Sequence, residues 1–147
     1  MNMNKYTIKA QEAVQEAIKR AERQGQQDIE PEHLLSGILQ AAEEVTRFIF
    51  QKVGLNPTTV QQAVDAQIGS LPKVQGGQPY LSQQSSQVLQ KAEDLAQQGG
   101  DEYVSVEHLL MAIADVQCTA GKMLKDMGLT QEELKKAIHE LRGGQKV

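Results

Sequence analysis

The sequence predicts an all-α domain, and three observations support the prediction. Apolar residues recur at helical spacings of three and four along nearly the whole chain. No stretch alternates apolar and polar residues for long enough to predict a strand, and aromatic residues make up only 3% of the chain. The two halves of the sequence also repeat one another. At 147 residues, the chain has the length of a single domain with one hydrophobic core.

Capping and turn residues divide the first half into four predicted helices. Thr7 and Asn56 each offer a side-chain oxygen to the unpaired amides of a first turn. Pro31 suits a first helical position, because its missing N–H has no partner there anyway. Gly25 and Gly54 can adopt the left-handed conformation that closes a helix. The predicted helices run from Thr7 to Gly25, from Pro31 to Leu39, from Phe48 to Gly54 and from Asn56 to Gly69.

The stretch 70–80, "SLPKVQGGQPY", separates the halves, and its two prolines and glycine pair predict a turn-rich connection. The same order of signals then starts again. Thr130 and Glu133 form the capping-box pattern, in which each side chain caps the other's backbone amide. The predicted helices of the second half run from Ser82 to Gly99, from Ser105 to Ile113, from Met123 to Gly128 and from Thr130 to Gly143.

The halves align at an offset of 75 residues as far as Ile38 and Ile113, and at an offset of 74 after a one-residue deletion in the next loop. The motif Glu-His-Leu-Leu occurs in both halves, at 32–35 and at 107–110. Two copies are too few for a solenoid. The prediction is therefore a single domain of two pseudosymmetric four-helix repeats, 7–69 and 81–143, packed about a pseudo-twofold axis, with 70–80 as connection and 144–147 as the start of a linker.

Charge and cysteine content exclude several classes of protein. Fifteen Lys and Arg against nineteen Asp and Glu give a net charge of −4, and the basic residues are scattered, which argues against a nucleic-acid partner. Cys118 is the sole cysteine, so no intramolecular disulfide is possible, and a reducing compartment such as the cytoplasm is expected. No apolar run reaches the roughly 18 residues of a membrane span, and the N-terminus lacks a secretory signal.

The pairs Glu32-His33 and Glu107-His108 allow two interpretations. A zinc site on a helix needs a second ligand four residues on, but glycine and alanine occupy those positions. A site that joins His33 and His108 across the pseudo-twofold axis is the metal-dependent alternative. In the other interpretation, each glutamate interacts with the positive end of a helix dipole, and each histidine fills a half-buried edge. The duplication favours this second interpretation, because it explains both copies.

Catalytic motifs are weak. Gly121 and Lys122 do not make a nucleotide-binding loop, because methionine follows them and no strand precedes them. Cys118 has no base nearby in the sequence to activate it. We therefore expect a non-catalytic domain, with no catalytic residues and no metal site.

A difference between the repeats draws attention to Leu95, which occupies the position of Arg20 in the first repeat. Leu95 extends the apolar stripe that contains Val88 and Ala92. The extra leucine either belongs to a partner-binding surface or packs beneath the connection 70–80. The sequence alone does not favour one of these.

Four stretches resemble one known family. The duplicated unit, the two "EHLL" helix starts, the connecting "LPKVQGG" and the closing "LRGGQKV" resemble the Clp amino-terminal domain, or Clp repeat domain, of double-ring AAA+ unfoldases. The "RGG" ending resembles the ClpB disaggregase branch in particular. The resemblance extends over essentially the whole chain.

The resemblance implies the fold of two pseudosymmetric four-helix repeats, and one domain of a longer chaperone. Such domains capture exposed hydrophobic segments of unfolded or aggregated polypeptides for an ATP-driven hexamer, and relatives also dock adaptor proteins. No cofactor is expected in this fragment, whereas ATP and Mg²⁺ are expected for the parent protein. The fragment is expected to be monomeric, with neither nucleic-acid nor membrane partners. By resemblance, the substrate-binding residues are Thr7, Leu89, Leu95, Asp101, Glu107 and His108, the last standing where a ClpB-type domain can carry an apolar residue.

Overall fold

The computed structural model describes residues 3–74 and 76–143, and α-helices dominate these parts of the chain. The helices are α1 (Ile8–Arg23), α2 (Pro31–Ala41), α3 (Glu43–Lys52), α4 (Pro57–Gly69), α5 (Gln83–Gln98), α6 (Val106–Asp115), α7 (Thr119–Asp126) and α8 (Gln131–Arg142). A 3-10 turn at Met3–Lys5 precedes α1. The all-α prediction is confirmed, with four helices on each side of the connection 70–80. The predicted linker 144–147 lies outside the described residues.

Most helices begin where the sequence places a cap, because capping depends on residues three positions apart. The Thr7 hydroxyl accepts a hydrogen bond from the amide of Ala10 at 3.1 Å. Ser82 caps α5 in the same way at 3.1 Å, and Thr130 caps α8 at 3.2 Å. Gly25 closes α1 with a φ of 66°, in the left-handed region that favours glycine.

Two helices begin earlier than predicted. The third begins at Glu43, because polar residues of its first turn face solvent and interrupt the apolar pattern. The seventh begins at Thr119, and the Cys118 sulfur accepts the capping bond from the amide of Gly121 at 3.4 Å. Cysteine is an uncommon cap, so the sequence carried no recognisable start signal there.

Two short parallel pairings join the repeats and were not predicted. Strand β1 (Asp28–Ile29), before α2, pairs with β2 (Tyr80–Leu81), before α5. The matching segments before α1 and α6 form a single bridge between Tyr6 and Val104. Each repeat therefore pairs the segment before its first helix with the segment before the second helix of the other repeat. This exchange obeys the predicted pseudo-twofold relation.

Helices α2 and α6 lie at the centre of the domain. Nine consecutive residues of α2, from Pro31 to Leu39, are buried. Helix α1 packs closely on α2, since a Cβ added at Gly37 would stand 2.0 Å from the carbonyl oxygen of Ala13. Because both central helices start inside the protein, the polar groups of their first turns need internal partners. Within 3–74 and 76–143, no helix is both long and apolar enough to cross a bilayer.

Candidate functional site

The two Glu-His motifs form the buried starts of the central helices. The Nδ1 atom of His33 accepts a hydrogen bond from the backbone N–H of Glu30 at 2.9 Å. In the second repeat, His108 Nδ1 accepts from the N–H of Ser105, also at 2.9 Å. The exposed fractions are 0% for His33 and 3% for His108. The expectation of half-buried edges is therefore wrong, because each imidazole is itself buried and caps a backbone amide at the start of its helix.

This capping bond fixes the tautomer of each histidine. Since Nδ1 accepts a hydrogen bond from a backbone N–H, it carries no hydrogen itself, and the neutral ring carries its hydrogen on Nε2. Protonation of Nδ1 would place two N–H groups against each other inside the protein. Burial, together with the smaller effect of the nearby Arg20 charge, lowers the pKa of His33 to about 4. Burial also lowers the pKa of His108, although its hydrogen bond with Asp101 acts in the opposite direction.

In the first repeat, neutral groups complete the cap. His33 Nε2 donates to the side-chain oxygen of Gln26 at 2.7 Å. The amide nitrogen of Gln26 then donates to the carbonyl oxygen of Ile68, at the end of α4, at 2.7 Å. A single glutamine thus joins the start of α2 to the end of α4 without any formal charge.

In the second repeat, charged groups perform the same task. His108 Nε2 donates to the Asp101 carboxylate at 2.8 Å. Asp101 cannot donate in turn, and Arg142 at the end of α8 supplies the donors instead. Its guanidinium donates to Asp101 at 2.9 Å and to the Ser105 hydroxyl at 3.1 Å, and lies 3.6 Å from a Glu107 oxygen. We call Asp101, Ser105, Glu107, His108 and Arg142 the charged cap.

The charged cap is almost closed to solvent. Side-chain exposure is 3% for Asp101, 4% for His108, 11% for Glu107 and 16% for Arg142. Asp101 and Glu107 were predicted to contact substrate, and the structure places them together with His108. In this arrangement both carboxylates face Arg142, and little of either side chain is exposed to solvent.

Both nitrogens of each histidine are used within its own repeat, which differs from the arrangement that a shared metal site would need. His33 contacts Glu30 and Gln26, and His108 contacts Ser105 and Asp101. Among residues 3–74 and 76–143, no group of three or more His, Cys, Asp or Glu side chains is placed to hold a metal ion.

The remaining predicted site residues lie at the start of α1 and on α5. Thr7 caps α1, and its backbone N–H donates to the carbonyl oxygen of Val104 at 2.9 Å. Leu89 is buried, with 5% exposure, whereas Leu95 is half-buried and packs against the core. Leu95 lies in the last turn of α5, directly before the charged cap. The structure thus places Leu89 mainly in the core and leaves Leu95 partly available.

Two exposed apolar residues were not predicted as site residues. Ile8 is 75% exposed, and Tyr103 is 42% exposed. The pairing of Tyr6 with Val104 brings together the segments that carry them. We call Ile8 and Tyr103, with the intervening Tyr6–Val104 bridge, the bridge face. Local patterns could not identify this face, because the bridge joins residues almost a hundred positions apart.

Arg142 was not predicted as a site residue either, although comparison of the two repeats contains a signal for it. At the offset of 74 residues, Arg142 aligns with Ile68. This apolar-to-charged change runs in the opposite direction to the one at Leu95, where the first repeat carries the charged residue. Read together with glutamine at position 26 and aspartate at position 101, it indicates an ion pair in the second repeat.

A cleft of about 710 Å³ in the first repeat is a weaker candidate. Its charged lining residues are already paired, Arg20 with Asp65 at 3.1 Å and Arg47 with Glu43. The cleft therefore offers a bound molecule no uncompensated charge from these four residues.

Comparison with known proteins gives the family. The profile of the Clp repeat N-terminal domain matches residues 5–127. The chaperone protein ClpB of Bacteroides thetaiotaomicron is 54% identical over 147 residues, and that of Porphyromonas gingivalis is 50% identical over 147 residues. Each alignment covers 100% of this chain and 17% of the relative. The chain therefore spans about a sixth of the length of these chaperones.

Solved structures share the fold. The Hsp104 N-terminal domain from Candida albicans superposes with a TM-score of 0.86 at 23% identity, covering 97% of this chain and 95% of that domain. The ClpV N-domain in a complex with a VipB peptide superposes with a TM-score of 0.78 at 18% identity, covering 97% of this chain and 90% of that one. With two matched repeats, a family profile over most of the chain and close ClpB relatives, the chain belongs to the Clp repeat N-terminal domain family.

Proposed function

We propose that this domain captures exposed hydrophobic segments of unfolded or aggregated polypeptides for a ClpB-type disaggregase. The domain itself is non-catalytic and monomeric and has no cofactor. The remainder of the parent chain forms a hexameric AAA+ ring in the cytoplasm, where ATP and Mg²⁺ drive threading. Neither nucleic acid nor membrane is a partner of the domain.

The observation that carries the proposal is the exposure of Ile8 and Tyr103 on two segments joined by backbone hydrogen bonds. Large apolar side chains on an otherwise polar surface often belong to an interaction site. The half-buried Leu95 can add apolar area as its side chain adjusts to a ligand. The peptide complex of the ClpV N-domain supports the proposal, because the same fold accommodates a peptide there.

A surface of this size favours weak and reversible binding. Burying about 300 Å² of apolar area yields about 7 kcal/mol before any losses. Ordering of a flexible chain and the loss of its translational freedom offset much of this gain. We expect dissociation constants in the micromolar range or weaker, which suits a domain that must release its ligand to a motor.

The direct test replaces apolar residues of the proposed surface. We expect Leu95→Asp and Ile8→Asp each to weaken binding of a fluorescein-labelled unfolded protein, reduced and alkylated lactalbumin, by about tenfold or more, since a charge must be desolvated. Val74→Asp is the matched control, because Val74 is 49% exposed but lies on the connection 70–80.

Fluorescence anisotropy measures the affinities, and circular dichroism verifies that each variant is folded. If the two variants bind as tightly as the control, the surface is misassigned. If the unmodified domain shows no binding at all, the capture proposal fails.

A second function, docking of one defined partner, is favoured by the VipB peptide complex of the related ClpV N-domain. In this case the domain binds an adaptor protein, or the ATPase ring of its own parent. Affinity capture from a cell lysate distinguishes the two functions. A single stoichiometric partner supports docking, whereas a heterogeneous set of unfolded proteins supports capture.

A further inference from the structure

Arg142 is the one member of the charged cap that comes from outside the sequence region of the others. It reaches from the end of α8 to Asp101 and Ser105, which lie 41 and 37 positions earlier. We define residues 99–105 as the α5–α6 segment, and both of these residues lie in it. Arg142 therefore holds this segment at two points.

The α5–α6 segment in turn determines the geometry of the bridge face. Tyr103 lies between the two points that Arg142 holds. The neighbouring Val104 donates its N–H to the carbonyl oxygen of Lys5 at 2.7 Å and accepts from Thr7 at 2.9 Å. Because Ile8 directly follows Thr7, a shift of the segment is passed through these two hydrogen bonds to the backbone beside Ile8. The Arg142 contacts thus act on the exposed apolar pair through hydrogen-bonded backbone.

The first repeat shows that this fold can join the corresponding helix start and helix end without charged groups. There, Gln26 donates to the carbonyl oxygen of Ile68 at 2.7 Å, and no ion pair is needed. A buried ion pair gains little over such a neutral arrangement, because both charges lose their hydration. In addition, the Nε of Arg142 is buried without a hydrogen-bond partner among the described residues. Stability alone therefore does not account for the charged version.

We propose that Arg142 is a positioning residue for polypeptide binding, which sets the α5–α6 segment and thereby the spacing of the bridge face. This inference rests on the proposed capture function. Arg142 need not touch the bound polypeptide. Its effect passes through Asp101 and Ser105 to Tyr103.

The experiment compares four forms of the 147-residue chain: unmodified, Arg142→Ile, Arg142→Lys and the double variant Asp101→Gln with Arg142→Ile. The double variant copies the neutral chemistry of the first repeat. Arg47→Ile is the matched control, since it removes an exposed arginine ion pair on α3. Affinity for labelled, alkylated lactalbumin is measured at a temperature at which each form is folded by circular dichroism.

We expect Arg142→Ile to weaken binding by about fivefold or more, the lower end of typical coupling between sites. Arg142→Lys and the double variant should recover part of this loss, because each restores one bond to the segment. The Ile8 methyl resonance should shift in Arg142→Ile and return toward its original position in the double variant. A merely structural role would leave both affinity and this resonance unchanged once the protein is folded.

The outcomes separate the two proposals. Absence of binding by the unmodified chain overturns the capture function. Binding that depends on Leu95 but not on Arg142, with the Ile8 resonance unmoved, overturns only the positioning role. If Arg142→Ile does not fold, Arg142→Met, which keeps the packing of the arginine stem but makes no hydrogen bond to the segment, takes its place beside the control, and unchanged affinity with an unmoved Ile8 resonance overturns the inference.

Discussion

The His33 cap predicts a loss of stability in mild acid. The pKa of His33 is lowered to about 4 from an ordinary value of 6.5, chiefly by burial. Below about pH 6.5 the unfolded chain binds a proton at this site, whereas the folded chain does not until about pH 4. The stabilisation is thus present above pH 6.5 and is lost as the pH falls. Between pH 7 and pH 5 we expect a loss of about 1.5 to 2 kcal/mol, or about 3 to 8 °C in melting temperature.

Urea denaturation at pH 7, 6 and 5 tests this expectation with the variant His33→Gln. Glutamine at the third helical position can cap the same backbone amide but does not titrate. The unfolding free energy of the variant should therefore depend less on pH than that of the unmodified chain by the stated amount. Burial raises the pKa of Glu32, which acts in the opposite direction, but this group is present in both proteins and largely cancels.

His139 provides the matched control, because it is exposed on α8. His139→Gln, measured in parallel, makes the same substitution at an exposed position and corrects for its general effect on stability. If His33→Gln shows the same slope between pH 7 and pH 5 as the unmodified chain, the assigned tautomer and cap are wrong.

Two further predictions concern close packing and the charged cap. Asp101→Asn should lower the unfolding free energy by about 2 to 4 kcal/mol in urea titrations, because it removes the closer of the two carboxylates that face a largely buried guanidinium. Lys122→Met, which removes an exposed ion pair, should change it by less than about 1 kcal/mol, and equal effects would contradict the buried network. Gly37→Ala should destabilise by about 2 kcal/mol or more, since its Cβ would overlap the α1 backbone. Gly69→Ala, in open space at the end of α4, should be neutral or stabilising by up to about 1 kcal/mol, and a melting curve like that of Gly37→Ala would refute the distinction.

The helix ends could be predicted where they depend on contacts between residues close together in the sequence. Thr7 and Thr130 cap their helices because a hydroxyl and an amide three residues apart meet whenever a helix starts. Helix α7 began outside its predicted range, because Cys118 acts as its cap and its early residues lack an apolar stripe. The two-residue strands were beyond prediction, since a pairing of that length has no periodicity to detect.

The candidate site was only partly predictable. The family resemblance drew attention to Asp101, Glu107 and His108, and the structure brings these three together. It did not indicate that Arg142 covers them, or that Ile8 and Tyr103 remain exposed. Repeat comparison contained the Arg142 signal, but only the folded chain shows that the end of α8 reaches the start of α6.

By itself, the sequence determined the helical class, the duplication and most helix boundaries, because these depend on apolar spacing and on contacts within one turn. The tertiary structure decided how deeply the Glu-His motifs are buried, and that burial made both histidines neutral caps. It also decided that an arginine closes one repeat and a glutamine the other. Burial and long-range pairing depend on how the helices pack together, which no stretch of sequence specifies alone.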